Sequence, residues 1–139
     1  MARLSNKAKL LAAAGNFDLR LPDLRDQPKA QAGRVLVEHF LARWDGDDGL
    51  EAMLRAAVTD TAVRARLLET FSAQIVPVVA SLTGDTEPAV AERSGLVATQ
   101  LLGLALCRYV LELHSVVSLE HDQIVKRIGP TIQAYLFDA

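Results

Sequence analysis

One cysteine, Cys107, is the whole thiol content of this 139-residue chain. A single thiol cannot close an internal disulfide, so a disulfide scaffold is excluded and a reducing cytoplasm is the expected compartment. Aromatic residues make up only 5% of the sequence. Together with few β-branched residues, that argues against a β-sandwich or barrel. Excess charge is also missing: 15 Lys/Arg stand against 17 Asp/Glu, for a net charge of −2. A nucleic-acid-binding domain usually carries a basic face. Here the basic residues are scattered, as Lys7 and Lys9, Arg64 and Arg66, Lys126 and Arg127. The N-terminus has no apolar stretch after its basic residues, so no signal peptide is expected. The longest apolar run, Leu96 to Leu113, is interrupted by Thr99, Gln100, Arg108 and Glu112 and ends at His114. Two ionisable groups inside it argue against a bilayer span and for a helix buried on several sides.

Motifs that carry chemistry are missing as well. None of His39, His114 and His121 lies four residues from another histidine or from Cys107, so neither a metal site nor a cofactor is expected. Gly46 and Gly49 sit in an acidic turn, Asp45-Gly46-Asp47-Asp48-Gly49, that would repel phosphate. No G-x-S-x-G nucleophile elbow occurs. Glu51, Glu69 and Glu112 are single carboxylates on different segments. The expectation is a protein that is not an enzyme.

What the chain does have is 21 Ala and 22 Leu. These residues lose least on entering a helix, so the fold class is all-α. Six helices are predicted. The first runs Lys7–Ala14, capped by Ser5 or Asn6 and ended by Gly15. Residues 16–28, with Pro22, Pro28 and three Asp, read as an irregular connection. The second helix spans Pro28–Trp44 with Val35, Leu36, Phe40 and Trp44 along one side. The third, Leu50–Val58, repeats Leu50, Met53, Leu54, Ala57 and Val58. The fourth, Ala62–Leu82, begins at a Thr59 or Asp60 cap and places Val63, Leu67, Phe71, Ile75 and Val79 four apart. Pro77 inside it predicts a kink, and Thr83-Gly84-Asp85 is its stop. The fifth runs Pro88–Leu113. The sixth, Leu119–Phe137, is capped by Ser118, with Ile124, Ile128, Ile132, Tyr135 and Leu136 on its apolar side and a bend expected at Gly129-Pro130. No internal repeat or low-complexity segment interrupts them. The whole reads as a six-helix bundle domain.

Three features invite function. His39 and Arg43 lie one turn apart beside the apolar face of the second helix. They are either a half-buried histidine and an arginine reaching to solvent, or polar fixtures in an otherwise apolar small-molecule pocket. Arg108 and Glu112 are spaced as an ion pair on the fifth helix, and Cys107 reads as a small core residue. The same helix carries Ala91, Gly95, Thr99, Gly103 and Cys107 on one face. That stripe is either internal core or half of an interface with a second copy of the chain.

Several stretches resemble the C-terminal effector-binding and dimerisation domain of TetR-type transcriptional regulators. They are Val37-Glu38-His39-Phe40-Leu41-Ala42-Arg43-Trp44 and Met53-Leu54-Arg55-Ala56-Ala57-Val58-Thr59-Asp60. The most characteristic is Ala98-Thr99-Gln100-Leu101-Leu102-Gly103-Leu104-Ala105, followed by Arg108-Tyr109-Val110-Leu111. Ile128-Gly129-Pro130-Thr131-Ile132-Gln133-Ala134-Tyr135-Leu136 closes the match, which covers roughly residues 5 to 137. The resemblance implies a homodimer in which the last two helices of two chains form a four-helix bundle. Gly95, Thr99, Gly103, Cys107, Ile128, Ile132 and Tyr135 would lie in that interface. It implies a cavity for a small, largely apolar effector, bounded by His39, Arg43, Trp44, Phe71 and Tyr109.

Regulators of this kind begin with a three-helix DNA-binding unit followed by an [S/N]-K-x-x-L segment. Ser5-Asn6-Lys7-Ala8-Lys9-Leu10 resembles that segment, but only Met1-Ala2-Arg3-Leu4 precede it. Four residues cannot hold a helix-turn-helix. The expectation is a regulatory fragment, cut, mis-started or truncated at its front, that reaches DNA only through a head absent from this chain. Residues 1–27 would be a remnant linker helix and loop, and residues 28–139 the ligand-binding and dimerisation domain. The alternative is a stand-alone protein that forms heterodimers with full-length relatives.

Overall fold

A computed structural model describes residues 5–139 of the chain. Among them every regular element is helical. α1 spans Asn6–Asn16, α2 Ala32–Trp44, α3 Asp48–Thr59, α4 Thr61–Thr83, α5 Ala89–Ala105, α6 His114–Val117 and α7 His121–Phe137. Between α1 and α2 lies an irregular segment with a 3₁₀ turn at Leu24–Asp26, and a second such turn, Lys29–Gln31, leads into α2.

The starts of the helices follow local chemistry. The Ser5 hydroxyl accepts the Ala8 amide, and Asp47 accepts the Leu50 amide. Asp60 accepts the amides of Ala62 and Val63 and also meets Lys7 at 3.7 Å, joining α1 to the α3–α4 corner. These caps satisfy donors that the first helical turn leaves free. Gly84 ends α4 in the left-handed region (φ 71), where a side chain would be strained. Pro77 sits on the exposed side of α4, and the helix continues through it to Thr83.

Four details differ from the sequence reading. Gly15 does not end α1, which continues to Asn16. Ser118 does not cap the last helix. Glu120 does, exchanging hydrogen bonds with Gln123 in a capping box. The predicted fifth helix is two elements. α5 stops at Ala105, a π-turn spans Leu106–Val110, and Glu112 takes a left-handed backbone (φ 51) before the short α6. With α6, which no predicted helix covers, the α-helices among the described residues number seven. The run Leu96–Leu113 carries no proline, and its one glycine, Gly103, lies inside α5 two residues before the break. Side-chain bonds across the reversal hold it: Arg108 donates to the carbonyls of Val116 (2.8 Å) and Leu119 (3.0 Å), tying the connector back onto the turn. Glu112 is left exposed, so the predicted Arg108–Glu112 ion pair does not form, and Arg108 faces Asp45 instead.

The core runs the length of α4, whose Val63, Leu67, Phe71, Ile75 and Val79 are all buried as their spacing predicts. From α3 come Leu50, Met53, Leu54 and Ala57, while Val58 points outward at 56% exposure. α2 and α7 form the tightest seam. A Cβ on Gly33 would collide with the Gly129 carbonyl oxygen and lie 2.6 Å from Gln133 N. Gln133 closes the seam, accepting the Gly33 amide (2.8 Å) and donating to the Lys29 carbonyl (2.9 Å). Replacing Gly33 by Ala forces backbone apart, for a predicted loss of about 3 kcal/mol, the upper end of overpacking costs. Urea unfolding of Gly33→Ala against the parent measures it. A loss below about 1 kcal/mol would show that the seam can relax.

Candidate functional site

Four of the seven aromatic residues meet at one place. Trp44, the last residue of α2, is fully buried. Its ring stacks on Tyr109 of the π-turn (6.1 Å, 14°), tilts against Phe40 (5.6 Å) and forms a T-shaped pair with Phe17 (5.9 Å, 65°). Its indole Nε1 has no hydrogen-bond partner; the same is true of the Ser94 hydroxyl on α5. A buried donor without an acceptor is costly and calls for a physical reason.

Phe17 arrives from the irregular segment, whose backbone is held by side chains. Gln74 of α4 donates to the Phe17 carbonyl (2.5 Å) and accepts the Leu19 amide (2.7 Å). His39 Nε2 donates to the Leu19 carbonyl (2.9 Å). Arg43 Nε donates to the Asp18 carbonyl (2.8 Å), its guanidinium lies over the Phe17 ring (5.7 Å), and a second nitrogen pairs with Asp47 (2.9 Å). So the two polar residues singled out in the sequence face this segment. Of the five candidate ligand contacts, Trp44 and Tyr109 meet ring to ring, and Arg43 joins them through Phe17. Phe71 is buried on α4 and is not one of the stacked rings. A cleft of about 700 Å³ between α2 and α7 is lined by Arg34, Glu38, Asp122, Lys126 and neighbours, and by none of the five.

On the other side of Trp44, Asp45 gathers a polar cluster that the sequence reading missed. It accepts the Tyr109 hydroxyl (2.5 Å) and His121 Nε2 (2.5 Å), and Arg108 Nε lies 3.8 Å away. The sequence places these groups at positions 45, 108, 109 and 121, so only folding reveals the cluster. Partial burial works to raise the Asp45 pKa, but the hydrogen bonds from Tyr109 and His121 and the charges of His121 and Arg108 outweigh it. The carboxyl is held below its ordinary range. Burial first, and then the Asp45 carboxylate, push the Tyr109 phenol well above its usual value, so it stays a neutral donor.

The predicted interface residues divide. On α5, Gly95 and Thr99 are exposed, and Gly103 lies half-buried; Cys107 of the π-turn is also half-buried. On α7, Ile128 and Tyr135 are half-buried. Ile132 is fully buried within its own chain, so it serves the core and offers no surface to a partner. A Cβ added at Gly95 or Gly103 would meet nothing within 4 Å. Among the described residues no group of three His, Cys, Asp or Glu is placed to hold a metal ion. No helix among the described residues is long and apolar enough to cross a membrane.

The bundle is an all-α fold, and comparison with known proteins gives it a family. Residues 30–136 match the family model of the tetracyclin repressor-like, C-terminal domain. The chain belongs to that family: it carries the regulatory domain of a TetR-like transcriptional regulator, and no DNA-binding helix-turn-helix lies among its described residues. Membership makes it a regulator's domain rather than an enzyme. The chain is similar to the TetR-family regulator from Streptomyces coelicolor A3 seen in a crystal structure. Their identity is 29% and the TM-score 0.56, over 94% of this chain and 80% of that one. No curated protein matches the chain.

The depressed Asp45 pKa fixes the sign of a pH effect. Stability from this group is fully present above the unfolded carboxylate value of about 3.9 and is lost as pH falls through the lower folded value. Chemical unfolding between pH 7 and pH 3 should show that decline, shallower in Asp45→Asn. At pH 7, Tyr109→Phe should cost about 1 kcal/mol, a charge-assisted bond discounted for the partly exposed carboxylate. An acid limb of equal slope in parent and Asp45→Asn would remove Asp45 from it.

Proposed function

We propose that the chain works as a homodimer that senses a small, largely apolar effector and passes the signal to a DNA-binding head. α5 and α7 pair with the same helices of a second copy. The supporting observation is the open surface at Gly95 and Gly103. A glycine inside a helix costs roughly 1 kcal/mol relative to alanine. No contact within the chain explains either one, since a Cβ there meets nothing. Close approach of a partner helix does. Thr99, the exposed Leu96 and half-buried Ile128 and Tyr135 extend the same face, with Cys107 at its end.

The effector site in this reading is the region of Trp44, Tyr109 and Phe71, with His39 and Arg43 at its edge. Residues 1–27 join the head to the regulatory unit, residues 28–139. The protein acts in the cytoplasm, where its single thiol stays reduced.

Sedimentation velocity at micromolar concentration tests the dimer, and a stable monomer defeats it. Gly103→Leu should shift the population toward monomer while leaving the thermal unfolding of the isolated fold intact, because a Cβ at that position meets nothing within 4 Å among the described residues. An unchanged dimer removes Gly103 from the interface. Recovery of full-length relatives in place of self-association would point to a heterodimer.

A further inference from the structure

Irregular connections ordinarily run over the surface, because buried backbone must find partners. Residues 17–27 follow that rule only in part: Asp18, Arg20, Asp23, Arg25, Asp26 and Gln27 are exposed, but three apolar side chains turn inward. Phe17, Leu19 and Leu24 are 4%, 1% and 4% exposed, as buried as helix core. Yet among the described residues no backbone–backbone hydrogen bond is made between Asp18 and Asp23. Side chains carry that backbone instead: Gln74 through two hydrogen bonds, His39 and Arg43 through one each, and Asp18 by accepting the Arg20 amide. Arg20 is held in the left-handed region (φ 52), a conformation that its surroundings must enforce. Three of its side chains are packed like core, while its backbone is fastened like a clasp. Directly beneath it lies Trp44, fully buried, with an indole N–H that nothing among the described residues accepts. The Phe17 ring that covers Trp44 is apolar and cannot accept it in plane.

We propose that residues 17–27 form a strap that fills the domain's own ligand site, and that an effector enters where Phe17 now packs. The inference rests on the effector-sensing reading above and deepens it. The walls define the ligand class. Trp44 and Phe40 are flat aromatic surfaces, and the orphaned Nε1–H is a donor in need of an acceptor. The ligand is therefore a flat, apolar molecule with one hydrogen-bond acceptor. Admitting it releases the three carbonyls now held by Gln74, Arg43 and His39. It also disturbs the ring stack that continues from Trp44 to Tyr109 at the end of α5. Binding is thus coupled by contact to the helix that the dimer reading places in the interface.

Because only the open strap binds, apparent affinity falls by the fraction of molecules that are open. Trp44 is the sole tryptophan, so one indole N–H resonance reports the site. Two probes of nearly equal size, 2-acetylnaphthalene and 2-ethylnaphthalene, differ in having or lacking an acceptor. Gln74→Ala frees one side of the clasp and should bind 2-acetylnaphthalene at least tenfold tighter than the parent chain. The ethyl compound should bind at least fivefold more weakly than the acetyl compound. Only the acetyl compound should move the indole N–H resonance downfield. Equal affinity in parent and variant overturns the strap. No binding of either probe, or no discrimination between them, overturns the ligand class.

Amide hydrogen exchange on the parent chain covers the case in which Gln74→Ala fails to fold. The Leu19 amide should exchange through an opening that leaves the α2 amides protected. Exchange of Leu19 only with global unfolding overturns the strap. Failure of dimerisation in sedimentation would defeat the regulatory reading while leaving these measurements unaffected, so the two can be told apart.

Discussion

The antiparallel seam between α2 and α7 is the constraint on which the other contacts depend. It is fastened at two points. At the start of α2, Gly33 lets two backbones touch and Gln133 stitches them together. At the far end, Asp45 just beyond α2 meets His121 in the first turn of α7. The first fastening is steric and tolerates no side chain. The second is electrostatic and responds to protonation. Together they set where the last residue of α2 sits, and that residue is Trp44.

Trp44 is where the sparse aromatic content of the chain is spent. Its ring joins three parts of the molecule that are far apart in sequence: the segment after α1, α2 itself and the π-turn after α5. The π-turn matters because it shifts the backbone register, so that Tyr109 stacks on the indole while its hydroxyl reaches Asp45. Arg108 from the same turn then holds the connector. One irregularity at the end of α5 therefore serves the aromatic cluster, the polar cluster and the chain reversal into α7.

Much of the fold was legible in the residues. The repeats at spacing four in α4, the acidic cap at Asp60 and the glycine stop at Gly84 are local signals, and each acts where it stands. The stretches that resemble TetR-type domains lead to the family that the comparisons establish. The candidate site was legible only in part. Trp44 and Tyr109 come together, but His39 and Arg43 turn toward carbonyls of a segment that looked like a mere connection. Gln74, Asp45 and His121 left no trace in the pattern, because a glutamine, an aspartate and a histidine on separate elements look like ordinary polar surface. Ile132 shows the limit from the other side: its spacing puts it on the apolar face of α7, but spacing does not say which neighbour covers that face.

By itself, then, the sequence determined what local physics controls: helix content, most helix starts and stops, the buried stripes and the family. These depend on residues three or four positions apart, where geometry is known in advance. Tertiary structure alone decided where α5 breaks, which glycines face a neighbour and which face open space, and what His39 and Arg43 hold. Each of those outcomes depends on contacts beyond the helical repeat, from 8 and 11 positions apart for Arg108 to 25 for Arg43 and nearly a hundred for Gly33. Such contacts exist only after the seam between α2 and α7 has brought the elements together.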